Sequence, residues 1–283
     1  RLATLVDPML KYLIPTLIAF QGGRMVGGDR GGVMGAVATL GVIAGSEQTM
    51  LIGAMAMGPF AGLVIKKFYK AVEGKIPAGF EMLVNNFSVG IFGMILAIIG
   101  YYLIGPVMAT ILAILTAGVK ILVTNKLLPF VATFVEPAKV LFLNNAINHG
   151  IFTPIGIEQA AETGKSIMYM LEANPGPGLG VLLAYWVFSK DKVTKSSAPG
   201  AVIIHFFGGI HEIYFPYVLM NPVIIIAPIV ASIVTIFYYS IMGAGLVGPA
   251  SPGSIIAFLA VAPKGETLKV LIGVVLAAAV SFV

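Results

Sequence analysis

The fold class this sequence predicts is an all-α polytopic membrane protein, and three observations predict it. Only 10% of its 283 residues are charged, against about 25% in ordinary soluble domains, while 58% are apolar. The mean hydropathy is +1.00. Several apolar runs approach or exceed the roughly 20 residues that cross about 30 Å of hydrocarbon. Glycine (34) and proline (17) cut other runs into shorter pieces. This balance excludes a typical water-soluble domain, and also disorder, which requires low hydrophobicity and high net charge. At roughly 20 residues per crossing, the chain has room for at most about eight to ten spans in one integral domain.

In chain order, Met9 to Phe20 and Met50 to Ile65 read as irregular spans, broken by glycine or proline. Between them, the glycine-rich stretch from Gly22 to Gly32 lacks the preceding strand of a nucleotide-binding loop, and it suits a tight turn or close helix packing. Phe80 to Tyr102, Ile104 to Val123, Val223 to Met242 and Leu268 to Val283 are long, apolar and almost free of charge, and read as regular spans. Ile167 to Phe188 and Leu246 to Ala262 are interrupted, and read as kinked or half-spanning. Glu47 and Glu81 border apolar runs and are ambiguous.

The net charge of +5 does not point to nucleic acid. Lys66, Lys67, Lys70 and Lys75 mark one loop, and Lys190, Lys192 and Lys195 another. Lysine in short loops follows the positive-inside rule, which puts both on the cytoplasmic side. There is no cysteine, hence no disulfide, thiolate metal site or thiol nucleophile. The chain begins at Arg1 and ends within an apolar run, so it reads as a piece of a longer protein, and no signal peptide is visible.

From Pro129 to Pro222 polar groups interrupt the apolar pattern. Unwound backbone in a membrane survives only where protein buries it or where it lines a cavity, and paired broken segments point to a transporter's substrate site. Two such segments stand out, around Leu141 to Pro154 and around His205 to Pro222. In the second, Gly209-Ile210-His211-Glu212 sets an ionisable pair among apolar residues. A carboxylate at bilayer depth costs about 2.5 kcal/mol or more, so it needs a partner or a ligand. A polyol fits, because a carboxylate accepts several hydroxyl hydrogen bonds; the alternatives are an exposed loop carboxylate or one satisfied by His211.

In the first segment, Asn144-Asn145-Ala146-Ile147-Asn148-His149-Gly150 offers amides and an imidazole, each able to donate and accept toward sugar hydroxyls. Asparagine hydrogen bonds between helices are the competing role. Glu172-Ala173-Asn174-Pro175-Gly176-Pro177-Gly178 ends an apolar segment in a rigid break, either at a site or as a plain surface turn. His205 reads as a packing or capping residue. The pairs Glu136 with Lys139, and Glu158 and Glu162 with Lys165, have the spacing of surface helix ion pairs and read as structural or interfacial. No zinc-binding spacing joins the three histidines, and Gln159 replaces the glycine that a phosphate loop ending in Gly164-Lys165-Ser166 requires.

Those three motifs, together with Gly79-Phe80-Glu81-Met82-Leu83-Val84-Asn85-Asn86-Phe87-Ser88 and Pro249-Ala250-Ser251-Pro252-Gly253-Ser254, resemble a known family over essentially the whole chain. It is the membrane (IIC) domain of mannitol-specific permeases of the bacterial phosphoenolpyruvate-dependent sugar phosphotransferase system. The resemblance implies a homodimer in the cytoplasmic (inner) membrane, with a scaffold part of roughly residues 1–125 and a transport part of roughly 126–283. It implies two re-entrant hairpins and an elevator-type movement that carries mannitol across. Glu212, His149 and Glu172 match sugar-binding positions of the family, with Glu212 or His149 positioning the attacking hydroxyl or taking its proton. Asn144, Asn145, His211 and Asn86 join the expected binding set by their chemistry and neighbourhood. Phosphorylation to mannitol 1-phosphate would fall to a phosphocysteine on a IIB domain, supplied in turn by IIA; neither cofactor nor metal is expected. A proton-coupled sugar or polyol symporter is the alternative, and a channel or scaffold without a saturable site is a third reading.

Overall fold

The computed structural model describes residues 8–46, 50–77 and 79–283; the side chains of Glu81, Asn86, Ala109 and Asn145 also lie outside the described residues. Glu47 falls outside them as well. The described residues are mostly helical, with no strand and one isolated antiparallel bridge between Ser166 and Leu246. Among the described residues, three helical runs are long and apolar enough to cross a membrane: Leu51–Val72, Met82–Thr124 and Pro222–Met242. Two compact units divide the chain, Arg1–Ala113 and Ile114–Val283.

The N-terminal unit is built on glycine. Helix α1 (Ile14–Ala44) is broken at Gly28, whose φ of 66° and ψ of −164° lie in a region that only glycine enters readily. The chain folds back there. Gly23 meets the Gly31 carbonyl and Gly35 lies against Ala19, contacts that a straight helix would hold far apart. Helix α2 (Leu51–Val72) packs on this hairpin through Gly58 and Gly62, which approach the backbones of Ala19 and Gly23. A Cβ at these positions would strike backbone, so the glycine-rich stretch serves close helix packing.

Helix α3 (Glu81–Ile99) continues through a π-helical turn, Gly100–Ile104, into α4 (Gly105–Thr124). The two spans expected between Phe80 and Val123 are therefore one unbroken helical run. Pro106 lies inside this run directly after the π-helical turn, and Gly105 lets the turn press onto the Gly45 backbone.

The C-terminal unit contains shorter pieces. They are α5 (Ala132–Val140), α6 (Asn144–Ile147), a π-helical turn Asn148–Phe152, α7 (Thr153–Thr163), α8 (Met168–Leu171), α9 (Gly176–Phe188) and α10 (Lys192–Phe206). After a 3-10 turn at His211–Ile213 come α11 (Phe215–Met220), α12 (Ile226–Met242), α13 (Ile255–Ala260) and α14 (Thr267–Phe282). Helices α9 and α14 pack where Gly176 and Gly180 admit the Val274 and Ala278 carbonyls, and Gly273 of α14 receives the Tyr239 ring of α12. The expected run from Ile167 to Phe188 is split at Glu172–Pro175, and that from Leu246 to Ala262 holds only α13.

The lysines expected in loops mostly sit on helix ends. Lys66, Lys67 and Lys70 lie in the last turns of α2, where a cation suits the negative end of the helix dipole. Lys192 and Lys195 open α10, where the dipole opposes them; Asp191 compensates by capping that helix, its carboxylate accepting from the Thr194 N–H at 2.8 Å and the Thr194 hydroxyl at 2.6 Å. Those bonds hold the exposed Asp191 carboxyl below its ordinary range, the Thr194 hydroxyl being the largest cause.

Candidate functional site

Helix α8 lasts one turn and ends on Glu172, because Asn174 and Pro175 redirect the chain. The Asn174 side-chain oxygen accepts from the Gly176 N–H at 2.9 Å, and Pro175 and Pro177 open α9, where their missing N–H groups cost nothing. The Pro175 carbonyl accepts from His205 Nε2 at 2.9 Å, so the buried His205 takes the packing role, one of the two its sequence suggested. Glu172 and Asn174 are both buried, which rules out the surface turn.

Glu172 is the centre of a polar cluster inside this unit. Its Oε1 accepts from Asn144 Nδ2 at 3.1 Å and its Oε2 from Asn148 Nδ2 at 3.0 Å. His211 Nδ1 lies 3.5 Å from Oε1. All four side chains are buried. Amide donors on both oxygens favour the ionised carboxylate, each charge-assisted bond contributing about 1.5–3 kcal/mol. Residues 28 and 24 apart in sequence thus meet on one charge.

The Gly209-Ile210-His211-Glu212 segment reaches this place by a sharp turn. Gly209 has a φ of +73° and lies against Ser254, while a Cβ on Gly253 would stand 2.9 Å from His211 Cδ2 and 3.1 Å from His205 Nδ1. The segment from Pro249 to Ser254 therefore backs the two imidazoles, which stack with centroids 5.1 Å apart and planes 12° apart. The His211 ring faces Glu172 and not Glu212, so the alternative in which His211 satisfies its sequence neighbour fails. Glu212 is half-buried and feels the Glu172 charge. His149 is exposed on its π-helical turn, yet within electrostatic reach of Glu172.

A second buried cluster adjoins the first. Lys139 Nζ donates to Glu136 Oε1 at 2.8 Å, with both side chains at most 1% exposed. Ser232 Oγ donates to the same oxygen at 2.7 Å, and the Tyr214 hydroxyl to Oε2 at 3.3 Å. The spacing of three correctly predicts the ion pair, but not its place: it is no surface pair. Val135, Ala138 and Val140 bury with it, and the two hydroxyls supply the partners that water would give at a surface. Lys165 leaves its expected partners too, pairing with Glu266 while Glu158 and Glu162 stay exposed.

Between the clusters the backbone is strained. Phe142 has a φ of +57°, rare for an aromatic residue, with its N–H bonded to the Lys139 carbonyl at 2.7 Å and its ring set edge-on to Phe215 at 5.1 Å. This turn connects Lys139 to Asn144 in five residues.

Of the expected binding set, the structure brings together Glu172, Asn144 and His211, with Glu212 and His149 near them. Asn148, in the expected motif but not in the expected set, is a direct partner of Glu172. The Asn145 and Asn86 side chains lie outside the described residues, and Asn86 belongs to the N-terminal unit. Tyr214 and Ser232 escaped sequence reading, and Glu136 and Lys139 were read as an ion pair but not as a buried one.

An all-helical membrane protein with a carboxylate-centred polar site in its interior is the class these features define. The model of the family described as Phosphotransferase system, EIIC, matches residues 4–232, and the chain belongs to that family. It is 58% identical over 283 residues to the "PTS system mannitol-specific EIICB component" of Bacillus subtilis (strain 168), covering 100% of this chain and 59% of that protein. It is 58% identical over 282 residues to the "PTS system mannitol-specific EIICBA component" of Escherichia coli (strain K12), covering 100% of this chain and 44% of that protein. The protein of the same name from Vibrio cholerae is 58% identical over 281 residues, 99% of this chain and 43% of the other. The chain thus spans 43% to 59% of the length of these relatives. No solved structure matches it. These findings lend no support to a proton-coupled symporter.

Proposed function

We propose that this chain binds mannitol and carries it across the bacterial cytoplasmic membrane, as the membrane part of a phosphotransferase-system permease. The observation that carries the reading is the meeting of three separate motifs on the buried Glu172 carboxylate, in a chain 58% identical to mannitol-specific components. Glu172, Asn144, Asn148 and His211 form the floor of the site. Glu212 and His149, less enclosed, contact hydroxyls directly, and Asn145 completes the ligand set within this unit.

Two carboxylates and several amides match a polyol, since each hydroxyl both donates and accepts. A phosphocysteine on a IIB domain transfers its phosphoryl group to the primary hydroxyl: the S–P bond breaks, an O–P bond forms, and the hydroxyl proton passes to His149 or Glu212. This chain has no cysteine, so it supplies binding and positioning only. The anionic product is repelled by Glu172 and Glu212, which drives release inward.

The N-terminal unit acts as the scaffold and homodimer contact, and the C-terminal unit as the moving transport part in an elevator cycle. Its broken segments at 141–154 and 205–222 serve as the re-entrant hairpins, eight to ten spans in all. The short helices and turns there support that assignment.

Vesicles containing the protein, with or without phosphorylated IIB outside an inverted membrane, test this reading. Mannitol phosphate formed only with IIB agrees with it. Free mannitol accumulating under a proton gradient, without IIB, overturns it.

A further inference from the structure

Where α2 ends and α3 begins, the N-terminal unit carries an open cleft whose two halves differ in chemistry. The polar half, about 470 Å3, is lined by Arg30, Tyr69, Lys70, Glu73 and Asn85. The apolar half, about 400 Å3, is lined by Phe68, Pro77, Phe80 and Val84. Val72 and Ile76 line both, so the halves adjoin. In the polar half the Tyr69 hydroxyl donates to the Asn85 carbonyl at 3.2 Å and shares a 2.8 Å hydrogen bond with the hydroxyl of the buried Ser88. The ring so fixed gives the Arg30 guanidinium a face to rest on, 4.6 Å from the ring centroid. Arg30 thus has a set position without a carboxylate: among the described residues neither Arg30 nor Lys70 makes an ion pair. Arg24 is paired with Asp29 at 2.8 Å, and Lys75 turns back onto the Ala71 carbonyl at 2.9 Å. Arg30 and Lys70 therefore face one carboxylate in the cleft, Glu73, with Lys66 and Lys67 one helical turn before Lys70.

The apolar half continues along α3. Phe80, Leu83 and Phe87 are exposed and, with Val84, follow the spacing of one helix face, a stripe that leads away from the cleft. Depth decides the occupant. Helix α2 is long and apolar enough to cross a membrane and the cleft lies at its end, so the polar half stands at the bilayer surface and the stripe descends into hydrocarbon. The lysines of that end put it on the cytoplasmic side, where the leaflet carries anionic lipid. A soluble anion or an acidic protein segment would match the cations and leave the stripe uncovered; a lipid matches both. We infer that this cleft binds one anionic phospholipid, with its phosphate on Arg30 and Lys70 and an acyl chain along Phe80, Val84 and Phe87. A guanidinium grips phosphate oxygens in pairs, and the Tyr69 ring keeps its plane in place. Because the lipid touches the end of α2 and the start of α3 together, it staples the two helices and stabilises the folded unit by mass action.

The test is native mass spectrometry of the detergent-purified full chain, titrated with phosphatidylglycerol and with phosphatidylcholine, beside the variants Arg30→Gln/Lys70→Gln and Phe80→Ala. All three replaced side chains are exposed, and unfolding temperatures without lipid report whether the variants are folded. The expected result is one phosphatidylglycerol held per chain at least about tenfold more tightly than phosphatidylcholine, a preference of the size two surface cations provide and which the double variant loses. Phe80→Ala should weaken both lipids, and phosphatidylglycerol should raise the wild-type unfolding temperature more than phosphatidylcholine does. Equal retention of the two lipids by wild type overturns the inference, a comparison that needs no variant to fold. A preference undiminished in the folded double variant overturns it as well. An excess of inorganic phosphate should leave the lipid in place; phosphate that displaces it, with Phe80→Ala binding like wild type, shows a site for a free anion instead. Lipid held by monomers and absent from dimers shows the cleft covered by a second copy of the chain, which also contradicts the inference.

Discussion

His211 places its Nδ1 3.5 Å from Glu172 Oε1, across 39 residues of sequence, and turns its back on the adjacent Glu212. The two glutamates thereby take different parts. Glu172 is enclosed by three nitrogen-bearing side chains, whereas Glu212 is only half-buried.

Glu172→Gln keeps the shape and removes the charge. One Gln donor would then face an Asn donor, so one of the two amide bonds is lost and the other weakened, at about 1.5–3 kcal/mol together with the charge. Calorimetry should show mannitol affinity reduced by ten- to about a hundredfold, and the unfolding temperature should fall by several degrees, because the amide bonds to Glu172 are made within the folded chain.

Lys139→Met leaves Glu136 buried without its cation, which typically costs about 3–5 kcal/mol. Its unfolding temperature should fall sharply, and adding Glu136→Gln should recover most of the loss. Differential scanning fluorimetry of the four proteins checks this, and additive single effects would show that the pair does not act as a unit.

The glycines of the N-terminal unit separate two kinds of cost. Gly28→Ala meets nothing within 4 Å, so its penalty is pure backbone strain, about 1–3 kcal/mol. Gly58→Ala instead puts a Cβ 2.6 Å from the Ala19 Cα and forces the helices apart. Gly90→Ala, helical and open, should be neutral or slightly stabilising. Thermal unfolding of the three variants should rank them with Gly90→Ala highest.

Asp191 caps α10 from outside the membrane-spanning segments. Its folded-state carboxyl titrates below the unfolded one, so its contribution is complete above about pH 4 and is lost as pH falls through the folded value. Amide exchange at Thr194, corrected for intrinsic rate, should quicken at low pH in wild type. In Asp191→Ala it should be fast at every pH, whereas Asp191→Asn should keep most of the protection, because Asn also caps.

Much of this was legible in the sequence. Composition and run length fix a helical membrane protein, and the three polar motifs contain Asn144, Asn148, Glu172 and His211, which converge. Helix continuity at Gly100–Ile104 was not legible, because glycine and proline mark breaks only when the surrounding packing lets the chain turn. The burial of Glu136 and Lys139 was hidden for a similar reason: a spacing of three is the same on a wet face and a dry one, and only the distant Ser232 and Tyr214 hydroxyls make the dry one tolerable. The strain at Phe142 left no mark at all, since αL positions are usually glycine.

The most direct test of the carboxylate-centred polyol site is calorimetric titration of the purified chain with mannitol, glucitol, glucose and a disaccharide, using Glu212→Gln and Glu172→Gln as controls. Saturable binding of mannitol alone, abolished or strongly weakened in both variants, is the predicted result. Mannitol binding of undiminished affinity in both folded variants would contradict it.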